Sequence, residues 1–222
     1  MPRDGREHTD VAAAAGRRRA ACAVLEHSDT VCDPDAPMST IDYRDATAAD
    51  AALLGGMARA TFIETFGQLY RLDDLESFLA ASSDEAYAAE LGDPAIDVRF
   101  ATAKGIAVGF CKVGPLRLPA SGASPRALEL RQLYVFRPWF GSGIGAALTG
   151  WAIERAVARG ADELWLSVFT ENHRARRFYA KHGFVEMGPY QFMVGEQADE
   201  DILCRLRLDR GSAEGGARLG AR

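Results

Sequence analysis

A chain of 222 residues that is 48% hydrophobic and 26% charged, with a formal net charge of −5, has the composition of a folded globular protein. The mild acidity argues against nucleic acid as the main partner, and no run approaches the roughly 18 apolar residues a membrane span needs. Cys22, Cys32, Cys111 and Cys204 form no CxxC pair and no zinc spacing with the four histidines, so reduced thiols, no metal and a cytoplasmic location are expected.

Residues 1–38 are rich in Ala, Arg, Asp and Pro without periodicity, which predicts a disordered N-terminal extension. Within it, "GRRRAACAVLEH" places arginines before an apolar patch, as an export signal does. Glu26 and His27 close that patch after six residues, short of the roughly 7–15 of a signal core. At Met38 the text changes, and the folded domain is read as 39–208, with 209–222 as a flexible tail. The first strand is expected from Ile41 to Arg44. Helices follow over 48–60 and 72–91, the second broken near Ser82 and Ser83, then strands over 97–102, 106–116 and 127–135. A glycine turn leads into a helix ending near Arg159, where Gly160 supplies a stop. A strand over 163–169, a helix over 172–182 ended by Gly183, and strands over 184–193 and 201–208 complete one α+β domain without internal repeats or linkers.

The turn "FGSGIG" carries the first chemical signal. Gly141, Gly143 and Gly145 alternate just before a helix whose Ile144, Leu148, Trp151 and Ala152 form a buried stripe. A helix start exposes unpaired N–H groups and a positive dipole end, and glycines let an anion reach the backbone itself. A Walker loop would need Gly-Lys-Ser/Thr, and no lysine stands here. A dinucleotide site would place an acid at the far end of the next strand, whereas Asp162 and Glu163 precede that strand. A phosphate or pyrophosphate outside both classes remains.

The second signal is "TENHRARRFYAKHGF". Asn172 is a good N-cap, and Asn172, Ala175 and Tyr179 share one helix face, leaving room for a thin ligand beside it. A plain capping asparagine and a core tyrosine fit the same residues. Taken together, "LYVFRPWFGSGIGAAL" and "SVFTENHRARRFYAKHGF" resemble the GNAT superfamily of acetyl-CoA-dependent N-acetyltransferases, over about 40–208. The resemblance implies a central mixed, mostly antiparallel sheet whose splayed strands admit pantetheine, flanked by helices. It implies that the backbone of Leu133, Tyr134, Val135 and Phe136 pairs with the pantetheine arm. The amides of Gly141, Ser142, Gly143, Ile144, Gly145 and Ala146 would cradle the pyrophosphate, Asn172 would contact the pantetheine region, and Tyr179 would act as general acid for the departing thiolate. Phe140 departs from the family, which usually has Gln or Arg there; altered affinity is expected, not loss of binding.

Acetyl transfer needs a neutral amine, yet an alkylammonium has a pKa of about 10.4, so a base or water chain must take a proton. Strand alternation places Glu129 on one face with Arg131, Leu133 and Val135, and some members of the family use a glutamate at the matching position. Glu129 is therefore a candidate base, and equally a structural partner for Arg131 or a helix arginine. A backbone N–H near Val135 would hold the oxyanion. His173 and His182 read as solvated positions, so direct attack without an acyl-enzyme is expected.

Residues 61–100 hold nine acids against Arg71 and Arg99. Such a segment either steers a cationic acceptor or is a solvated helix surface. "TFIETFG", "LELRQLYV" and "MGPYQFMVGEQADEDILCRL" look like the bacterial spermidine/spermine N-acetyltransferases, which implies a small, polyamine-like amine as acceptor, with Glu64 either meeting it or lying on a helix surface. An N-acetyltransferase of protein N-termini or amino acids is the close alternative. A non-catalytic acyl-CoA-binding module is the alternative of another class, and it would have no need to keep both Tyr179 and Glu129. Monomer and homodimer both stay open.

Overall fold

The computed structural model describes residues 40–208; the expected extension and tail, with Cys22 and Cys32, lie outside the described residues. Strand β1 (Ile41–Asp45) leads through a 3-10 turn into helix α1 (Ala51–Phe66), followed by α2 (Leu72–Ala81) and α3 (Asp84–Gly92). Strands β2 (Asp97–Ala103), β3 (Ile106–Pro115) and β4 (Leu128–Val135) form a meander. Helix α4 (Ile144–Ala158), β5 (Glu163–Phe169), α5 (His173–Lys181), β6 (Val185–Val194) and β7 (Gln197–Arg207) follow. The seven strands form one sheet in the order β1-β2-β3-β4-β5-β7-β6, and β4 with β5 is its one parallel pair.

Two predicted boundaries move. The expected stop of α1 at Ala60 reflected the β-branched and aromatic run "TFIETF". The helix continues to Phe66 because Thr61 and Phe62 are buried, and propensity differences of about 0.7 kcal/mol per residue yield to packing. The last strand begins at Gln197, not 201, because Gly195 (φ 59°) closes a tight hairpin in which Val194 faces Gln197.

Each face of the sheet carries its own core. On one side Ile144, Leu148, Ala152 and Ala156 of α4 pack on Cys111, Val113, Leu164, Leu166 and Cys204. On the other, Leu54, Met57 and Ala58 of α1 and Tyr87 of α3 pack on Val98, Phe100 and Phe110. The second layer is tied to the sheet by a buried ion pair between Lys112 of β3 and Glu90 of α3, with Arg117 and Arg131 each 3.9 Å from the same carboxylate. Burial lowers the Lys112 pKa, while Glu90 opposes that shift. Removing one partner of a buried pair leaves an uncompensated charge, at a cost of about 3 kcal/mol. Glu90→Gln is therefore expected to lower Tm by about 6–12 °C, read by calorimetry.

Candidate active site

A cavity of about 840 Å³ runs from the α4 mouth past the β4–β5 boundary to the α1–α2 side. Its origin is a failure of pairing. Strands β4 and β5 are in register only at Leu128↔Leu164 and Glu129↔Trp165; beyond Glu129 they part, leaving the β5-facing edge of β4 open. The Phe136 N–H donates to Val108 O on β3 at 3.0 Å. Alternate residues of a strand point their amides to opposite sides, so the Val135 N–H faces the gap. Val135 is thus placed as the oxyanion reading expects. The Phe136 amide, expected to pair with pantetheine, is already committed to β3.

The expected alternation of Glu129 with Leu133 and Val135 is overturned by a bulge. Opposite Lys112 and Val113 the register steps from Gln132 to Leu130, so Arg131 is an extra residue and the faces exchange there. Leu130, Leu133 and Val135 join the α4–α5 side, while Tyr134 joins the α1–α3 side and Glu129 shares that face. Glu129 lines the cavity, 9% exposed. Its Oε2 accepts from the backbone N–H groups of Arg117 (2.8 Å) and Leu118 (3.3 Å). The Glu129 charge acts on Arg131 without a direct ion-pair contact, and its hydrogen bonds fasten the β3–β4 loop.

At the α4 mouth, Gly143 is the N-cap with φ 87°, and no side chain caps the helix. The first α4-side amide with an acceptor is Ala147, on Gly143 O at 3.0 Å. The amides of Gly141, Gly143, Ile144, Gly145 and Ala146 have no partner among the described residues, whereas that of Ser142 donates to Trp139 O at 3.3 Å. Ile144 itself is buried, its side chain in the core. Gly143 and Gly145 line the cavity, and Cβ space beyond Gly143 is open. Five open N–H groups around a positive helix end make an anion cradle. Over it, the Arg174 guanidinium stacks on the Phe140 ring at 3.5 Å.

Helix α5 supplies the next wall. Asn172 caps it, its Oδ1 accepting from Ala175 N at 3.1 Å, which leaves its amide NH₂ to the cavity. Tyr179 sits beside Ala175 in the α4–α5 core and lines the cavity. Its hydroxyl has no hydrogen-bond partner among the described residues. Burial pushes the phenol well above its usual pKa, with Cys111 adding a smaller push.

The far end of the cavity was not anticipated. Phe62, Phe66, Tyr70 and Phe78 from the α1–α2 segment meet Phe169 of β5 and Phe192 of β6. Asp199 and Asp201 of β7 line the same space, each 7% exposed. Tyr70 donates to Asp199 Oδ2, and Gln197 Nε2 to Oδ1 at 2.9 Å. Burial pushes Asp201 up to about 6, with the Asp199 charge adding to the shift and the Ser167 hydroxyl opposing it. The signal available in the sequence was the Gly195 hairpin, which sets Asp199 and Asp201 two apart on one strand face.

Glu64 does not line the cavity: its Oε2 accepts from Arg137 N at 3.2 Å, and Arg137 Nη2 donates to its carbonyl. Other acids of 61–100 are engaged elsewhere, Asp84 with Arg59, Asp97 with Arg155 and Arg159. Of the acids that line the cavity, Glu90 is paired with Lys112, whereas Glu129 on β4 and Asp199 and Asp201 on β7 have no ion-pair contact among the described residues.

Residues 63–184 match the family described as Acetyltransferase (GNAT) family. The chain is 33% identical over 155 residues to an uncharacterized N-acetyltransferase of Mycobacterium tuberculosis (strain H37Rv), covering 69% of this chain and 95% of that one. An uncharacterized N-acetyltransferase of Lactobacillus delbrueckii subsp. lactis is 26% identical, over 68% of this chain and 88% of its own length. Among solved structures, the PaiA N-acetyltransferase of Thermoplasma acidophilum in complex with coenzyme A superposes with a TM-score of 0.62 at 21% identity, covering 76% of this chain and 99% of that one. The yncA protein of Salmonella typhimurium, solved with its cofactor acetyl-CoA, gives a TM-score of 0.56 at 20% identity, over 80% and 99%.

Proposed function

This chain belongs to the GNAT family of acetyltransferases, and from that membership we propose that it moves the acetyl group of acetyl-CoA to the primary amine of a small, cationic, polyamine-like acceptor. The observation that carries this reading is the row of open amides at Gly141 and Gly143–Ala146 beside the unpaired edge of β4. A pyrophosphate fits the first and an extended pantetheine arm the second, as an added strand would. The charges along the cleft are mixed, and Arg59, Lys112, Arg117 and Arg131 on its α1–α3 side are drawn to Asp84 or Glu90. Arg174 stands at the cradle end, and Asp199 and Asp201 at the other end have no cation partner among the described residues. The aromatic wall suits the methylenes of such an amine.

In the attack, the Val135 N–H polarises the thioester carbonyl and stabilises the oxyanion. Tyr179 donates to the sulfur as the C–S bond breaks, and Asn172 orients the arm. Arg174 supplies the cation that Phe140 does not. Arg174→Ala is expected to raise the KM for acetyl-CoA about tenfold, the size of one charge-assisted contact, with kcat little changed.

A carboxylate-bearing acceptor, an amino acid or peptide N-terminus, is the second reading. It is favoured by Arg131, which lines the cavity and whose Nε and Nη1 make no hydrogen bond, although Nη1 lies 3.9 Å from Glu90. Thiol release from acetyl-CoA, measured with spermidine, free amino acids and short peptides, separates the two. If no amine speeds release while acetyl-CoA still raises Tm, the chain is a binding module and not an enzyme.

No helix among the described residues is long and apolar enough to cross a membrane. We keep a homodimer as a proposal for sedimentation to test.

A further inference from the structure

We propose that Asp201 is the general base that takes the proton from the acceptor's ammonium, with Asp199 holding the amine beside it. This assignment rests on reading the cleft as an acetyl-transfer site.

Position comes first. Asp201 pairs across the sheet with Phe169 of β5, two residues beyond Ser167, on the strand that parts from β4. Its neighbour Ile202 points into the α4–α5 core, so Asp201 faces the opposite, α1–α3 side. Tyr179 belongs to the α4–α5 side. Acid and base therefore stand on the two faces of the sheet with the gap between them. A nucleophile reaching a carbonyl in that gap from one face pushes the leaving sulfur toward the other.

Availability comes second. Glu129 has one oxygen on two loop amides. Asp199 has both oxygens engaged, by Tyr70 and Gln197. Asp201 meets the Ser167 hydroxyl and no cation among the described residues. The titratable groups around it are Asp199 on its own strand, Tyr70 from the α1–α2 connection, Tyr134 of β4, Tyr190 of β6 and Cys204. The phenols and the thiol are pushed upward by burial and stay neutral near pH 7. A carboxyl raised to about 6 is ionised at neutral pH yet basic enough to hold a proton, which is what the task requires.

The ammonium gives one proton to the Asp201 carboxylate, and the freed lone pair forms the C–N bond as the carbonyl π pair moves to oxygen. On collapse the C=O bond reforms and the C–S bond breaks. Tyr179 gives its proton to the sulfur and regains one from water, while the second proton of the nitrogen leaves to water on the Asp201 side. Asp201 releases its proton to water, so ammonium and thioester become amide, thiol and one H⁺.

The test is the pH dependence of kcat/KM for the best acceptor in the amine panel. The wild-type chain is expected to show an acid limb near pH 6. Asp201→Asn should lose that limb and at least tenfold in kcat, with the KM for acetyl-CoA unchanged; Asp201→Glu should restore part of both. The loss should shrink for an amine already neutral at the assay pH. Because the fold raises this carboxyl from 3.8 to about 6, its stabilisation is full below the unfolded value and is lost as pH rises through about 6. The Asn variant should thus melt no lower than wild type at pH 7.5. An Asn variant with wild-type rate and limb, a limb that disappears in Glu129→Gln instead, or a rate loss tracking a fall in Tm would overturn the assignment while leaving acetyl transfer intact. A wild-type chain inert toward every amine would fail at the earlier step, the acetyl-transfer reading itself, and would take this assignment with it.

Discussion

Gly143→Val is expected to raise the KM for acetyl-CoA at least ~100-fold, the loss of about 3 kcal/mol of amide contacts to a charged group. Two effects act together. At φ 87° a β-branched residue is a genuine outlier, at about 1–3 kcal/mol of local strain. Its Cβ would also project into the open space from which an anion approaches. Because that space holds no other protein atom, the fold should tolerate the side chain better than the ligand does. Calorimetry without cofactor should find the variant folded with a modest fall in Tm, and titration should find acetyl-CoA binding lost. A variant that binds acetyl-CoA normally would show that the helix mouth is not the pyrophosphate site.

Tyr179→Phe is expected to lower kcat about 100-fold, at the low end of general acid–base contributions, while leaving the KM for acetyl-CoA near wild type. A phenol raised by burial is a weaker acid than in water, which by itself would oppose protonating sulfur. A thiolate buried beside it would be shifted in the same direction, as the core Cys111 thiol near this tyrosine is. Donor and acceptor rise together, so the match survives. Single-turnover release of thiol checks it; equal rates for Phe and Tyr would assign protonation to solvent.

The helices, the succession of elements along the chain and the glycine turn were legible because their signals are local. Gly143 needs a positive φ, and Asn172 caps three residues on. Side-chain direction on β4 was not legible. The bulge at Arg131 belongs to the β3–β4 register, and nothing in "LELRQLYV" encodes it, so Glu129 was assigned the wrong neighbours. Of the two places open to Glu64, the structure shows the one outside the cavity, because Arg137, distant in sequence, engages it. Asp199 and Asp201 were overlooked because the last strand was begun four residues late, which hid their shared face.

The parted strands give the cleft two doors. On the proposed reading, thioester would lie along α4 and α5 and amine along α1 and α2 of the same cavity, so that neither would block the other's path and either could load first. Double-reciprocal plots should intersect, and each dead-end inhibitor should compete with only the substrate whose door it occupies.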